Sequence, residues 1–312
     1  MGLKCGIVGL PNVGKSTLFN AVSNSAKAVA SNYRFCTIEP NVGLVNVPDP
    51  RLNQLAEIVK PQKIVPTQLE IVDIAGLVRG ASKGEGLGNK FLANIREVDA
   101  IIHVIRCFED ENVIRDEGAI NPVSDKEIID TELQLKDLES VEKKLQRTEK
   151  AAKSGSDAKA KREVEVLYEC KSTLEQGKSL RTLDITKEDQ SAIADLHLLT
   201  VKPVIYVANV DEASMHTGNK YSEELTKAAK AEGADVVILC NNIEAQIAEF
   251  ENEEEKAIFL EEYGLTESGL NKLIRACYKL LNLITYFTAG VQEVRAWTIG
   301  NGWKAPAAAG VI

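Results

Sequence analysis

The run Gly9-Leu10-Pro11-Asn12-Val13-Gly14-Lys15-Ser16 fits G-x-x-x-x-G-K-[ST] at every required position, between the apolar strand Lys4–Val8 and an amphipathic helix beginning at Lys15. No other feature of the 312 residues constrains the fold as much. The glycines let consecutive backbone N–H groups turn inward on phosphates, and the helix N-terminus adds its positive dipole end. In that setting Lys15 neutralises the β- and γ-phosphates and the Ser16 hydroxyl ligates Mg²⁺.

A P-loop needs a parallel sheet behind it, and the chain supplies one. Nearly continuous apolar runs at Val42–Val47, Gln68–Val72, Ala100–Ile105, Pro203–Ala208 and Asp235–Cys240 alternate with helical stretches, which indicates an α/β fold with helices on both faces of a mostly parallel sheet. Between residues 125 and 200 the pattern changes to charged helix. Leu138, Val141 and Leu145, then Val164, Leu167 and Leu174, form stripes either side of Ser154-Gly155-Ser156-Asp157, the mark of an inserted coiled-coil hairpin. The expected division is a discontinuous nucleotide-binding domain over 1–124 and 201–284, the helical insertion over 125–200, and a small β-containing unit beginning at 285. A helix over Leu270–Leu283 and an alternating strand near Val291–Thr298 lead into that last unit.

Two further motifs fit the triphosphate site. Asp73 closes an apolar strand and opens Asp73-Ile74-Ala75-Gly76, where the Asp can hold Mg²⁺ through water and Gly76 can offer its N–H to the γ-phosphate. Thr37, in the loop after the first helix, stands where a switch threonine completes the Mg²⁺ shell. Lys15, Thr37 and Gly76 are thus the catalytic candidates, and Ser16, Thr37 and Asp73 the metal ligands. The glycine-dense run from Gly76 to Gly88 has the composition of a switch that orders around the γ-phosphate.

The base-reading position departs from the guanine pattern N-K-x-D. After the strand Val204–Ala208 the chain reads Asn209-Val210-Asp211-Glu212, with Glu one methylene longer than the Asp that accepts both guanine donors. A polar site matched to its ligand discriminates by about 10⁴-fold or more, and a misplaced acceptor forfeits that. The expectation is ATP over GTP, with Asn209 and Val210 against adenine and Asp211 able to take the reading role if the loop slips. Leu77 replaces the water-orienting glutamine of signalling GTPases, so intrinsic turnover is expected to be slow. The Asn12 carbonyl is a candidate ligand for an activating K⁺.

A net charge of −9 argues against general nucleic-acid affinity, and so against DNA. One patch runs the other way: Lys143 to Arg162 holds eight Lys or Arg against Glu149 and Asp157, either a solvated face or a contact for a phosphate backbone. The six cysteines are scattered without metal-ligand spacing and read as free thiols of a cytoplasmic protein. No apolar run is long enough for a membrane.

Gly9–Thr17, Asn32–Pro40, Asp73–Leu92, Asn209–Glu212 and Glu293–Ala309 together resemble the YchF-type Obg-like ATPases, over essentially the whole chain. The resemblance implies a G domain, a coiled-coil insertion and a C-terminal TGS domain, of which 285–312 would be the start. It also implies hydrolysis of ATP in preference to GTP, and ribosome binding, at the large subunit, through rRNA or a ribosomal protein. By position it puts Asn12, Val13, Gly14, Lys15, Ser16 and Thr17 on the phosphates and Asn209, Val210 and Glu212 around the base. Two departures stand out: Tyr33-Arg34-Phe35 replaces Tyr-Pro-Phe, and Arg115 lies where the family carries a histidine. A GTPase switch and a nucleotide-gated binding module are the competing readings.

Overall fold

The structure, a computed structural model, describes residues 3–30, 41–74, 87–114, 118–154 and 158–312. Thr37, Gly76, Leu77, Arg115, the Tyr33–Phe35 segment and most of the glycine-dense run lie outside the described residues.

Among the described residues, nine strands fall into two sheets. The larger has the order β2-β4-β1-β5-β6-β7, formed by β1 (Lys4–Val8), β2 (Val42–Asn46), β4 (Gln68–Asp73), β5 (Ala100–Arg106), β6 (Val204–Asn209) and β7 (Asp235–Leu239). All its pairings are parallel except β2 with β4. Every residue of β5 and β6 is buried, as central strands covered on both sides require. The two-residue period sorts their side chains. Ile101 and Ile105 face a core shared with α3 (Leu87–Arg96), α4 (Pro122–Ser154) and α7 (Lys220–Ala231). Ile102 and Val104 face one shared with α1 (Lys15–Ala30) and α10 (Gly269–Leu280).

The insertion is a helical hairpin of α4 and α5 (Ala158–Glu175), zipped by Val141 and Leu145 against Val166, Leu167, Cys170 and Leu174. Its root is anchored by charge. Buried Asp137 accepts bonds from the Leu199 and Thr200 N–H groups at 2.8 and 2.7 Å and from the Thr200 hydroxyl at 2.6 Å. Lys126 bridges Asp130 at 2.7 Å and Glu232 at 2.9 Å, and Glu232 accepts from the Tyr206 hydroxyl. Beside them His103 lies fully buried, its ring 5.4 Å from that of Tyr206. Burial, then the charges of Lys126, Arg181 and Lys15, push its pKa down to about 3.

The smaller sheet has the order β3-β9-β8 and draws on both ends of the chain. β8 (Leu283–Ala289) and β9 (Glu293–Gly300) form an antiparallel hairpin, and β3 (Lys63–Val65), lying between β2 and β4 in sequence, pairs in parallel with β9. One face is covered by α2 (Pro50–Val59), which starts on an Asp49 cap and a first-turn proline and packs Leu52, Leu55 and Val59 against Val294, Ala296 and Phe287. α10 stops at Leu280, short of the expected Leu283: Asn282 takes a left-handed conformation that turns the chain into β8.

Candidate nucleotide site

The P-loop joins the end of β1 to the start of α1. Two glycines are required where the backbone comes closest to its surroundings. A Cβ on Gly9 would sit 2.5 Å from the Val104 carbonyl, and one on Gly14, whose φ is +98°, would sit 2.5 Å from the side-chain nitrogens of both Asn209 and Asn241. Those amides brace the loop from below. Asn209 donates to the Val13 carbonyl at 3.0 Å, Asn241 donates to the Gly14 carbonyl at 2.8 Å, and the Asn241 N–H donates to Asn209 Oδ1 at 3.0 Å. Asn241 is rigidly placed because it opens α8 (Asn241–Ile247), whose buried Glu244 accepts from the Gly269 and Leu270 N–H groups at the start of α10.

Lys15 Nζ donates to the Leu10 carbonyl at 2.6 Å, curled over the loop it belongs to. Burial lowers its pKa and Asp73, at the end of β4, acts against that; Asp73 in turn is raised by burial and lowered by Lys15. The two charges therefore share one mouth. Ser16 is exposed in the first turn of α1, Thr17 is half-buried beside it, and the Val13 side chain is buried in the core, leaving its backbone at the loop. Asn12 has a φ of 59°, and its side-chain nitrogen donates to the Ile114 carbonyl at 3.2 Å. A hydroxyl and a carboxylate at the mouth are hard oxygen donors of the kind Mg²⁺ takes alongside phosphate and water.

The base side is built differently from the expectation. Asn209 is 5% exposed, with one amide N–H on the Val13 carbonyl and its Oδ1 accepting from the Asn241 N–H, so it braces the phosphate loop. Val210 is 2% exposed within the core, and its N–H extends the β6–β7 ladder to the Leu239 carbonyl; its side chain therefore has no free face for a ring. Asp211 caps the turn Glu212–Ser214 by accepting from the Ser214 N–H at 2.9 Å, which commits the residue that a slipped loop would need. Glu212 is exposed, and Tyr263, at the end of α9 (Glu253–Glu262), has its hydroxyl pKa raised first by burial and then by the Glu212 charge. Asn241 and Tyr263 were missed by sequence reasoning. Asn241 had a usable signal, since it follows an apolar strand ending at the same edge of the sheet as β1 and β6, where open α/β sheets bind ligands. Tyr263 had none.

On the hairpin, the basic residues divide. Lys144 is tied to Glu163 and Asp195 at 2.9 and 2.5 Å and to the Ala192 carbonyl, and Arg162 to Asp189 and Glu165. Arg147, Lys150, Lys159 and Lys161 are exposed towards the tip. Among the described residues no cluster of His, Cys, Asp and Glu could hold a metal by itself, and no helix is long and apolar enough to cross a membrane. The five described cysteines are buried and free.

Comparison with known proteins places this geometry. A family model described as "50S ribosome-binding GTPase" matches residues 4–154, and one for the YchF C-terminal region, described as a protein of unknown function (DUF933), matches 283–312. The protein named ribosome-binding ATPase YchF in Escherichia coli O157:H7 is 57% identical over 312 residues, all of this chain and 85% of that one. Its Bacillus subtilis (strain 168) namesake is 54% identical over 314 residues with the same coverage. The solved structure of the Schizosaccharomyces pombe YchF GTPase superposes with a TM-score of 0.88 at 41% identity, covering 99% of this chain and 84% of that one. Identity of this extent, spread over sheet, hairpin and C-terminal strands alike, means that the chain belongs to the YchF family of P-loop proteins.

Proposed function

We propose that the chain is a Mg²⁺-dependent ATPase with slow intrinsic hydrolysis, cytoplasmic, and acting on the ribosome as the names of its relatives state for them. The observation that carries the ATP reading is Glu212: the exposed carboxylate at the base position is one methylene longer than guanine recognition needs. Ser16, Asp73 and Thr37 would hold the Mg²⁺, which would supply charge neutralisation to the phosphates. The backbone from Asn12 to Thr17 wraps the phosphates, Lys15 leaves the Leu10 carbonyl for them, and Gly76 donates to the γ-phosphate. The base lies among Glu212 and the backbone of Asn209 and Val210.

With Leu77 unable to orient water, extra charge neutralisation has to come from elsewhere. The Asn12 nitrogen is engaged by Ile114, which leaves its carbonyl oxygen as the donor for a K⁺ beside the phosphates. Equal turnover in K⁺ and Na⁺ buffers would remove that ion. Ribosome contact runs through the hairpin tip, so charge reversal at Arg147, Lys150 and Lys161, which spares the structural Lys144, weakens co-sedimentation with ribosomes. Calorimetric titration with ATP and GTP, with and without ribosomes, tests the whole reading: tighter GTP binding would replace it with a GTPase switch, and absence of γ-phosphate loss in single turnover with a nucleotide-gated binding module.

A further inference from the structure

The backbone of the phosphate loop is held from below at two consecutive carbonyls. Asn209 donates to the Val13 carbonyl at 3.0 Å and Asn241 to the Gly14 carbonyl at 2.8 Å. Among the described residues no peptide bond is cis, and in a trans peptide the C=O and the N–H that follows it point in opposite directions. Drawing the Val13 and Gly14 carbonyls down therefore turns the Gly14 and Lys15 N–H groups up, towards the mouth where phosphates lie. The Gly14 carbonyl has a second donor, the Leu18 N–H at 3.0 Å, which belongs to its own helix. That bond leaves the peptide free to move with α1, whereas the Asn241 amide ties it to a different part of the fold. Asn241 is itself held on both sides: its N–H is taken by Asn209 Oδ1 at 3.0 Å, and Glu244, one turn further along α8, is pinned to the start of α10 at 2.7 and 2.9 Å.

Asn241 is 1% exposed, and its Oδ1 is buried with no hydrogen-bond partner among the described residues. A buried acceptor without a donor costs stability, and an apolar side chain of the same shape does not carry that cost. We infer that Asn241 is a positioning residue of the phosphate loop, whose amide donor fixes the plane of the peptide between Gly14 and Lys15 and so aims the Lys15 N–H at the phosphates. Its stranded oxygen makes it a poor choice for stability alone. The inference rests on the loop being the phosphate site and is indifferent to the base, since ATP and GTP present the same phosphates.

The test measures affinity and stability together on the full chain, with Mg²⁺ and the non-hydrolysable analogues of ATP and GTP. Asn241→Leu keeps the branched shape and removes both the donor and the stranded acceptor; Asn241→Ala removes them and opens space. In both variants affinity measured by calorimetry should fall about tenfold, the scale of one hydrogen bond, with the two analogues losing the same factor to within about twofold. The urea midpoint of nucleotide-free Asn241→Leu should equal that of wild type or exceed it. Affinity unchanged in both variants overturns the assignment. So does a midpoint that falls in Asn241→Leu, the mark of an ordinary packing residue, and so does a loss confined to one analogue, which would place Asn241 at the base. Wild-type protein that binds neither analogue removes the phosphate site itself and the assignment with it.

Discussion

The phosphate mouth and the root of the helical hairpin both gather charge at the large sheet, and they treat it in opposite ways. At the root each charge meets its complement: Asp137 takes three donors and Lys126 two carboxylates, whose attraction more than offsets the lowering of its pKa by burial. At the mouth Lys15 rests on a carbonyl of its own loop, Asp73 stays above its usual pKa through burial, and Ser16 faces solvent. The root uses charge to fix an angle between hairpin and sheet. The mouth holds charge in a position from which a ligand can take it.

The contrast breaks most severely at Gly14. Gly14→Ala forces a side chain into a left-handed backbone and into two buried amides, and nucleotide affinity measured by calorimetry should fall on the order of 100-fold or more while the circular-dichroism spectrum is retained. Asp137→Ala should do the converse. It strands three buried donors and lowers stability to urea by about 3 kcal/mol, with nucleotide affinity within about twofold of wild type.

The next effect concerns protons. His103 has a folded pKa of about 3 against an ordinary 6.5, so between those values the unfolded chain binds a proton that the folded chain refuses. Stability therefore rises with pH across that window and is lost on acidification through it, with a limiting slope of about 1.4 kcal/mol per pH unit. His103→Gln should flatten the urea midpoint against pH by that one-proton component, and parallel curves would reject it. The smallest effect lies away from the root. Lys143→Ala removes a bridge to Glu139 between exposed side chains and should change the melting free energy by less than about 0.5 kcal/mol.

What could be read from the chain follows the same line between local and distant causes. The P-loop, the five parallel strands and the hairpin stripe were legible because each is set by neighbours within a few residues: glycine and lysine spacing, apolar runs, a helical period. The direction of Val210 was not, because it depends on the ladder that its N–H continues to Leu239. The end of α10 was hidden since Leu281 and Leu283 prolong its apolar pattern past the turn at Asn282. Tyr263 was hidden because α9 buries none of its own residues, so no periodic stripe marks its inner side. β3 is three residues long and carries no signal of a partner near the other end of the chain.

That last pairing bears on the order in which the molecule can form. α2 and β3 leave the ribosome early, yet the strand that covers Leu52, Leu55 and Val59 and pairs with Lys63–Val65 follows more than two hundred residues later. Until it arrives an apolar helix face and an unpaired strand edge stay open, the surfaces on which nascent chains aggregate. The small sheet is thus a late closure of high contact order, and its completion covers the apolar face of α2 and pairs the edge of β3.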